Sequence, residues 1–333
     1  MRSFDYVIVG SGAAGCVIAY RLSADPGVSV ALVEAGPRDT HPFIHMPKGM
    51  GKVMQDPKHL WPFPCEPEAG TAMTAENWLR GRVLGGSTAI NGMMYVRGQP
   101  ADFDALAAAT SEEWSWRQIA KAYSELESHE LGAGIARGAA GPLKVTLPTD
   151  RDELNEAFIA AGAAMGWSTV QDVNAPDDIE RIGYAPRTIY RGRRQSAATA
   201  FLHPVRDRPN LTILTDTLVD TVLFDGRSAI GINVITGEAK ETIHAHREVI
   251  LCAGALASPL ILQRSGIGAP ALLASLGVPL VSANPAVGQN LSEHRGILMQ
   301  WKLRREISQN REFRGPRLLK NTARYYLFKR GPL

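Results

Sequence analysis

The first apolar stretches of the chain flank a helical stretch. Residues 6–9 form a continuous apolar run, as expected for a parallel strand that is covered on both faces. A glycine-rich turn then leads into an apolar helix that ends near Leu22, and a second apolar run covers residues 28–33. This order predicts a βαβ unit near the N-terminus.

Residues 150–166 have the pattern of an amphipathic helix. Asp150 and Glu153 fit a capping box at its start, and Gly166 fits its end. Four apolar residues recur at helical spacing on one face: Leu154, Phe158, Ala161 and Met165.

The pattern becomes strand-like again after residue 210. Residues 211–215, 218–224 and 229–235 predict three strands, and Asp225-Gly226 predicts a hairpin between the last two. Residues 248–253 predict one more apolar strand.

A helix is predicted to follow that strand. Ser258-Pro259 offers an N-cap and a first-turn proline, and Gly266 fits the end of the helix. Before the strand, His244 and His246 alternate along what we interpret as a polar strand edge. Between the regular parts, residues 37–97 are interrupted by Pro, Gly and His. That stretch is too long for an ordinary loop, and we expect it to contact a cofactor or a substrate.

Composition excludes some functions and leaves others open. The 333 residues carry a net charge of only +3, which does not indicate a nucleic-acid-binding protein. Residues 302–330 nevertheless contain ten Lys and Arg against two Glu. This segment is a candidate for contact with a membrane surface or nucleic acid, although basic residues interspersed with apolar ones are more typical of a partly buried helix.

The cysteines and the N-terminus indicate a compartment. Cys16, Cys65 and Cys252 lack metal-type spacing and are interpreted as reduced thiols. Neither a signal peptide nor an apolar run of membrane-spanning length is evident. We therefore expect a cytoplasmic protein, with peripheral association at the inner face of the membrane as an open alternative.

One motif indicates a dinucleotide site. Gly10-Ser11-Gly12-Ala13-Ala14-Gly15 follows the first predicted strand and opens the helix, and Glu34 ends the next strand. Gly10 permits the tight turn, Gly12 lets the backbone approach a pyrophosphate, and Gly15 allows close packing of helix on strand. Glu34 would accept hydrogen bonds from ribose hydroxyls. The motif alone leaves FAD and NAD as alternatives.

Two longer motifs resemble the signatures of the glucose-methanol-choline (GMC) family of flavin-dependent alcohol oxidoreductases. Residues 81–98 resemble the first signature and residues 254–268 the second, while residues 287–294, 192–202 and 208–211 match in order and spacing. The likeness runs from about residue 5 to the end of the chain. The segment from Glu34 to Pro47 is most similar to the choline and long-chain alcohol dehydrogenases.

The resemblance implies which residues contact FAD. In such proteins the first signature lies along the flavin, where Gly86 would admit the ring and the amides of residues 91–94 would donate to its polar edge. Val219 would contact the adenine through its backbone, and Trp61 lies either near the flavin or in a loop core. The implied contacts are Gly10, Gly12, Ala13, Ala14, Gly15, Glu34, Ala35, Trp61, Val83, Gly86, Ser87, Asn91, Gly92, Met93, Met94, Val219, Ala253 and Gly254.

The resemblance also bears on attachment and on catalysis. Some relatives link FAD covalently through a histidine at the position of Ile90, which isoleucine cannot do, so we expect noncovalent FAD. The catalytic base of the family, a histidine, would lie beyond Leu333. No catalytic residue is therefore assigned, and no metal ligand. None of the eight histidines has the family's catalytic setting: His41, His45, His59, His129, His203, His244, His246 and His294.

The sequence thus predicts an α/β protein with two domains. A Rossmann-like FAD-binding domain would comprise residues 1–150 and 200–300, and an incomplete α+β substrate domain residues 151–199 and 301–333. The expected activity is oxidation of an alcohol CH–OH group, as in choline or other alcohol dehydrogenases, with hydride transfer to flavin N5 and a quinone or oxygen as electron acceptor. The alternatives are a noncatalytic FAD-binding fragment, half of a split enzyme, and an NAD-dependent dehydrogenase.

Overall fold

The computed structural model describes residues 2–67, 76–177, 179–294 and 296–333. Its strands are β1 (Arg2–Val9), β2 (Val30–Val33), β3 (Leu60–Cys65), β4 (Glu76–Gly81), β5 (Glu127–His129), β6 (Leu143–Val145), β7 (Ser168–Thr169), β8 (Arg181–Ile182), β9 (Ile189–Tyr190), β10 (Arg193–Arg194), β11 (Leu211–Leu214), β12 (Leu218–Asp225), β13 (Ser228–Thr236), β14 (Ala239–Leu251), β15 (Ile267–Gly268) and β16 (Ser282–Ala283).

The α-helices are α1 (Ala13–Leu22), α2 (Pro42–His45), α3 (Met50–Val53), α4 (Pro100–Ala109), α5 (Trp116–Leu126), α6 (Glu153–Ala164), α7 (Gly254–Arg264), α8 (Pro270–Ser275) and α9 (Gly315–Phe328). Short 3₁₀ turns lie at Pro47–Gly49, Pro57–His59, Gly86–Ala89, Glu112–Trp114 and Gln309–Phe313, and Ala198–Leu202 forms a π-helical turn. No helix in the described ranges is both long and apolar enough to cross a membrane.

The chain packs into two compact units. The first contains the described residues of Met1–Ile44, Met50–Asn91 and Ser196–Ile297, and the second those of His45–Gly49, Gly92–Gln195 and Leu298–Leu333. This differs from the predicted division, because residues 92–150 belong to the second unit. Within that unit they form backbone β-pairings, such as β5 with β6 and Met94 opposite Arg187. Which unit serves the cofactor and which the substrate stays a prediction.

The first unit is built on a six-stranded sheet in the order β11-β2-β1-β14-β13-β12. The strands β11, β2, β1 and β14 run parallel, and β12, β13 and β14 form an antiparallel meander. Apolar residues of the sheet and of α7 pack in one core: Val7, Val9, Ala31, Val33, Val219, Val222, Ile232, Val234, Ile243, Ala245 and Ile261. The predicted βαβ unit and the hairpin at Asp225-Gly226 are therefore confirmed.

The second unit contains the helices α4, α5, α6 and α9 and several two-stranded sheets. Strands β5 and β6 pair in parallel, as do β7 and β8, while β9 and β10 pair antiparallel. An ion pair lies inside this unit: Arg97 Nη2 is 2.6 Å from Glu127 Oε2, and both side chains are buried.

The predicted helix at residues 150–166 begins later and buries a different face. Helix α6 starts at Glu153, and the Asp152 side chain, not that of Asp150, accepts from the Asn155 amide at 3.0 Å. The apolar face is exposed, with Phe158 at 72% and Met165 at 74%. Gly162 is buried instead, because its Cα lies against the Ile182 side chain.

Two predictions near residue 250 were also wrong. Helix α7 begins at Gly254, so Pro259 lies inside the helix and Ser258 is not its N-cap. His244 and His246 lie on β14, which pairs with β1 on one side and β13 on the other, so they are not at a sheet edge. The end of α7 at Gly266, which has φ +87°, is as predicted.

Candidate functional site

The glycine-rich loop joins the end of β1 to the start of α1. Two of its glycines are required by packing: a Cβ on Gly10 would overlap the Cys252 carbonyl, and one on Gly15 would overlap the carbonyl of Gly10. Gly10 also has φ +95°, a conformation that favours glycine. These contacts place the loop directly against the residues that follow β14.

Gly12 is different, because nothing in the described part of the chain requires a glycine there. A Cβ on Gly12 would come no closer than 4.0 Å to the Cys252 carbonyl oxygen. Ala13 and Ala14 are exposed in the first turn of α1, and no described side chain caps that helix. An uncapped helix N-terminus beside an open glycine is suited to an anion such as a pyrophosphate. The loop therefore fits the dinucleotide that its sequence predicts.

Glu34 ties the end of β2 to this loop. Its side chain is 5% exposed, and Oε2 accepts from the Ser11 amide at 2.9 Å and the Ser11 hydroxyl at 2.8 Å. Oε1 accepts from the Gly36 amide at 2.9 Å. Burial raises the pKa of Glu34 against the opposing effect of these hydrogen bonds and of Arg82. Sequence reasoning did not find that Glu34 fixes the glycine loop. The one sequence signal for this role was Ser11 within the glycine motif.

Residues 82–86 run across the carboxyl ends of β1 and β2. Leu84 N–H donates to the Pro37 carbonyl and Gly85 N–H to the Ser11 carbonyl, each at 3.0 Å. A Cβ on Gly86 would lie 2.7 Å from Gly12 Cα. Gly86 is thus required by its approach to the glycine loop, and its contact with a flavin ring stays a prediction.

The remaining predicted contacts of the first signature divide between the two units. Ser87 is exposed, and its Oγ accepts from the Gly81 amide at 3.0 Å. The Asn91 amide donates to the Ser87 carbonyl at 3.0 Å, so it is already used in the turn and does not support the expected bond to a flavin. Val83 and Ile90 are buried in an apolar cluster with Ile44, Val53, Leu60 and Ala89.

Gly92, Met93 and Met94 belong to the second unit. A Cβ on Gly92 would meet nothing in the described chain within 4 Å, and Met94 is 71% exposed. Met93 is buried with φ 60°, and its carbonyl accepts from the Thr188 amide at 2.9 Å. This turn is therefore held in one conformation by residues of its own unit.

The other predicted contacts lie on the first unit. Val219 is a buried strand residue opposite Val234, and its carbonyl accepts from Arg264 Nη2 at 3.4 Å. Ala253 caps α7 and packs against the glycine loop, while Gly254, with φ +87°, has open space around it. Ala35 follows Glu34 directly.

Trp61 lies on β3, with the Arg82 guanidinium carbon 4.8 Å from the ring centroid. The ring is half-buried. Whether it approaches a bound flavin stays a prediction.

The histidines have structural partners in several cases. His59 Nδ1 lies 2.9 Å from Asp56 Oδ2, and His203 Nε2 lies 3.1 Å from Asp39 Oδ1. His129 is buried, and its Nδ1 accepts from the Leu131 amide at 3.1 Å. Among the described residues no group of His, Cys, Asp and Glu could hold a metal ion.

Residues 4–295 match the family model described as GMC oxidoreductase. The chain belongs to the GMC oxidoreductase family. This confirms the family and the Rossmann-like α/β class that were predicted, together with FAD, the cofactor of this family, in place of NAD.

The relatives within the family include choline dehydrogenases. An oxygen-dependent choline dehydrogenase of Xanthomonas campestris pv. campestris is 40% identical over 314 residues, which cover 92% of this chain and 56% of the relative. The mitochondrial choline dehydrogenase of Mus musculus is 38% identical over 304 residues, covering 89% and 51%. The chain thus spans about half the length of these curated relatives.

A solved structure of an oxidase is also similar to this chain over about half of its own length. Pyridoxine 4-oxidase from Mesorbium loti has a TM-score of 0.81 at 38% identity, covering 85% of this chain and 55% of that one.

Proposed function

We propose that the chain binds FAD noncovalently, with the pyrophosphate at the N-terminus of α1. The observation that carries the proposal is Gly12: it has no packing need for glycine and lies beside the exposed first turn of α1. Glu34 lies at the end of the neighbouring strand, where an adenosine ribose binds in folds of this kind. Ile90, buried in an apolar cluster, supplies no nucleophile for covalent attachment.

The reaction we propose for the whole protein is oxidation of an alcohol CH–OH group. Bound FAD would accept a hydride from the alcohol carbon at its N5 atom. Within this chain, the residues around Gly12 bind and orient the cofactor, and buried Glu34 holds the loop in shape. Choline and other aliphatic or aryl alcohols are the candidate substrates, and the relatives named choline dehydrogenase support this class.

The electron acceptor of the reduced flavin is a further part of the proposal. The relatives named oxygen-dependent support oxygen, and a quinone is the alternative acceptor. In the whole protein this is a choice between two oxidants of the reduced cofactor. Stopped-flow mixing of reduced protein with oxygen or with a soluble quinone distinguishes them.

A second candidate is a noncatalytic FAD-binding protein or one half of a split enzyme. It is favoured by the structural partners of His59 and His203, each of which is bonded to an aspartate. Under this reading the flavin is bound but no alcohol reduces it.

Peripheral membrane contact, in a cytoplasmic protein, is a further part of the proposal. Leu319, Leu327 and Phe328 are exposed in the second unit, among the basic residues of the segment 302–330, and exposed Trp301 directly precedes that segment. Exposed apolar side chains beside cations suit an anionic lipid surface. Sedimentation with anionic vesicles, but not with neutral ones, is the expected result. Sedimentation with neither would remove this part.

The experiment that tests FAD binding compares two dinucleotides. The purified chain is titrated with FAD and with NAD, and binding is followed by flavin fluorescence and by calorimetry. We expect binding of FAD alone, and release of all the flavin into the supernatant on acid precipitation. Binding of NAD in preference to FAD would overturn the proposal, and flavin held in the pellet would overturn noncovalent attachment.

A further inference from the structure

Arg82 is a cation that the described chain leaves without an anion. Its guanidinium has no carboxylate within 4.0 Å among the described residues, and its buried Nε has no hydrogen-bond acceptor there. Arg80, two residues earlier, contrasts with it, because Arg80 Nη2 lies 2.6 Å from Glu293 Oε2. A partly buried charge is costly unless a partner neutralises it.

The contacts that Arg82 does make hold it in one place. The guanidinium stacks over Trp61, with 4.8 Å between its carbon and the ring centroid. The Arg82 amide donates to the His59 carbonyl at 2.8 Å, and the Arg82 carbonyl fills the space that a Cβ on Gly36 would need. The backbone of Arg82 is therefore fixed beside the carboxyl end of β2, and the stack on Trp61 holds its guanidinium.

Glu34 is an anion that Arg82 acts on electrostatically, but its oxygens are already used in hydrogen bonds. Its two oxygens accept from Ser11 and Gly36, and it makes no ion pair with Arg82. Arg82 is close enough to act on Glu34 electrostatically without bonding to it. The positive charge of Arg82 thus remains available to a ligand at this strand end.

The position of Arg82 indicates which part of a ligand it meets. The segment 82–86 crosses the site from Gly36, at the end of β2, to Gly12, at the start of α1. In doubly wound folds the adenosine ribose binds at the first of these points and the pyrophosphate at the second. Arg82 stands at the adenosine end of that path.

We propose that Arg82 binds the adenosine-side phosphate of the dinucleotide. The guanidinium fork suits phosphate oxygens, and Trp61 keeps the fork in place. Arg82 is then a binding residue of the FAD site that lies outside both the glycine loop and the N-terminus of α1. This inference rests on the proposed function.

The test separates phosphate binding from packing on Trp61. The affinities of ADP, adenosine and FAD are measured by calorimetry for the wild type, Arg82→Gln, Arg82→Lys and the control Arg80→Gln. We expect Arg82→Gln to weaken ADP and FAD about 10- to 100-fold, as for loss of a charge-assisted hydrogen bond, and to leave adenosine nearly unchanged. Arg82→Lys should recover part of the ADP affinity, and Arg80→Gln should resemble the wild type.

Salt provides a second readout. Because added salt screens the attraction between a cation and a phosphate, ADP affinity should fall less steeply with salt in Arg82→Gln than in the wild type. Equal weakening of ADP and adenosine, or unchanged ADP affinity in a folded Arg82→Gln variant, would overturn the inference while FAD binding stands. A wild-type chain that binds neither FAD nor ADP would overturn the proposed function itself.

Discussion

At the scale of single residues, the glycine motif was predictable in kind but not in detail. The spacing of the motif predicts a role for each of Gly10, Gly12 and Gly15. The packing of Gly10 and Gly15 agrees with their predicted roles. The partners of Glu34 were not predictable, because they depend on Ser11 and Gly36 being brought together by the turn. Sequence spacing alone does not show which lone pairs the protein uses itself.

His129 should make the stability of the protein depend on pH. Burial lowers its pKa below the ordinary value of 6.5, against the smaller opposing attraction of Asp172 and Glu127. Protonation would also displace the Leu131 amide from Nδ1. Because the pKa of His129 is lowered in the folded state, neutral His129 stabilises the fold above pH 6.5. This stabilisation is lost as the pH falls from 6.5 through the folded-state pKa.

The measurement is urea unfolding of the wild type and His129→Gln from about pH 7.5 to about pH 5. The variant should lose less stability on acidification than the wild type. His246→Gln, which removes an exposed histidine, is the matched control and should follow the wild type. Identical pH dependence in the wild type and His129→Gln would contradict the account.

At the scale of elements, the Arg97–Glu127 pair joins the turn after Met94 to β5. Glu127 is fully buried, its Oε1 accepts from the Gly138 amide at 3.0 Å, and Arg97 stacks on Tyr123. Arg97→Met would leave a buried carboxylate without its cation, which costs about 3–5 kcal/mol.

Chemical denaturation measures this difference in the free energy of unfolding. The control is Arg117→Gln, because Arg117 pairs with Glu112 at the surface, with both side chains more than 70% exposed. Such a pair contributes about 0–1 kcal/mol. Comparable losses of unfolding free energy in the two variants would show that the buried pair contributes no more to stability than the exposed pair.

The regular elements were predictable where local signals agree with packing. The strands β1 and β2, the helix α1 and the hairpin between β12 and β13 follow from apolar runs and an Asp-Gly turn. The packing of helix α6 was not predictable, because Gly162, which offers no apolar side chain, is the residue that meets Ile182. The start of α7 was missed because Ala253 packs on the glycine loop, a contact that Pro259 does not reveal.

At the scale of the whole molecule, the FAD-loaded chain should not be reduced by alcohols. A positioned general base contributes about 10²–10⁴-fold to such a reaction. His59 and His203 are bonded to carboxylates, and the Nδ1 of buried His129 accepts a backbone amide. None of the three is placed as a free base by the structure.

Anaerobic mixing with choline, a medium-chain alcohol and an aryl alcohol tests this expectation. The absorption band of the oxidised flavin should persist with each alcohol and disappear with dithionite. Bleaching by any of the alcohols at an enzyme-like rate would mean that a histidine of this chain acts as the base.

FAD binding at the glycine loop is measured most directly by titrating Gly12→Val with FAD. A valine side chain at Gly12 begins at a Cβ with no described atom closer than 4.0 Å, so the variant should fold while blocking the approach of a pyrophosphate. Gly51→Val, where a Cβ also meets nothing within 4 Å in the described chain, is the control. We expect one FAD per chain for the wild type and Gly51→Val, each with a raised melting temperature, and none for Gly12→Val. Unchanged FAD affinity in a folded Gly12→Val variant would contradict the account.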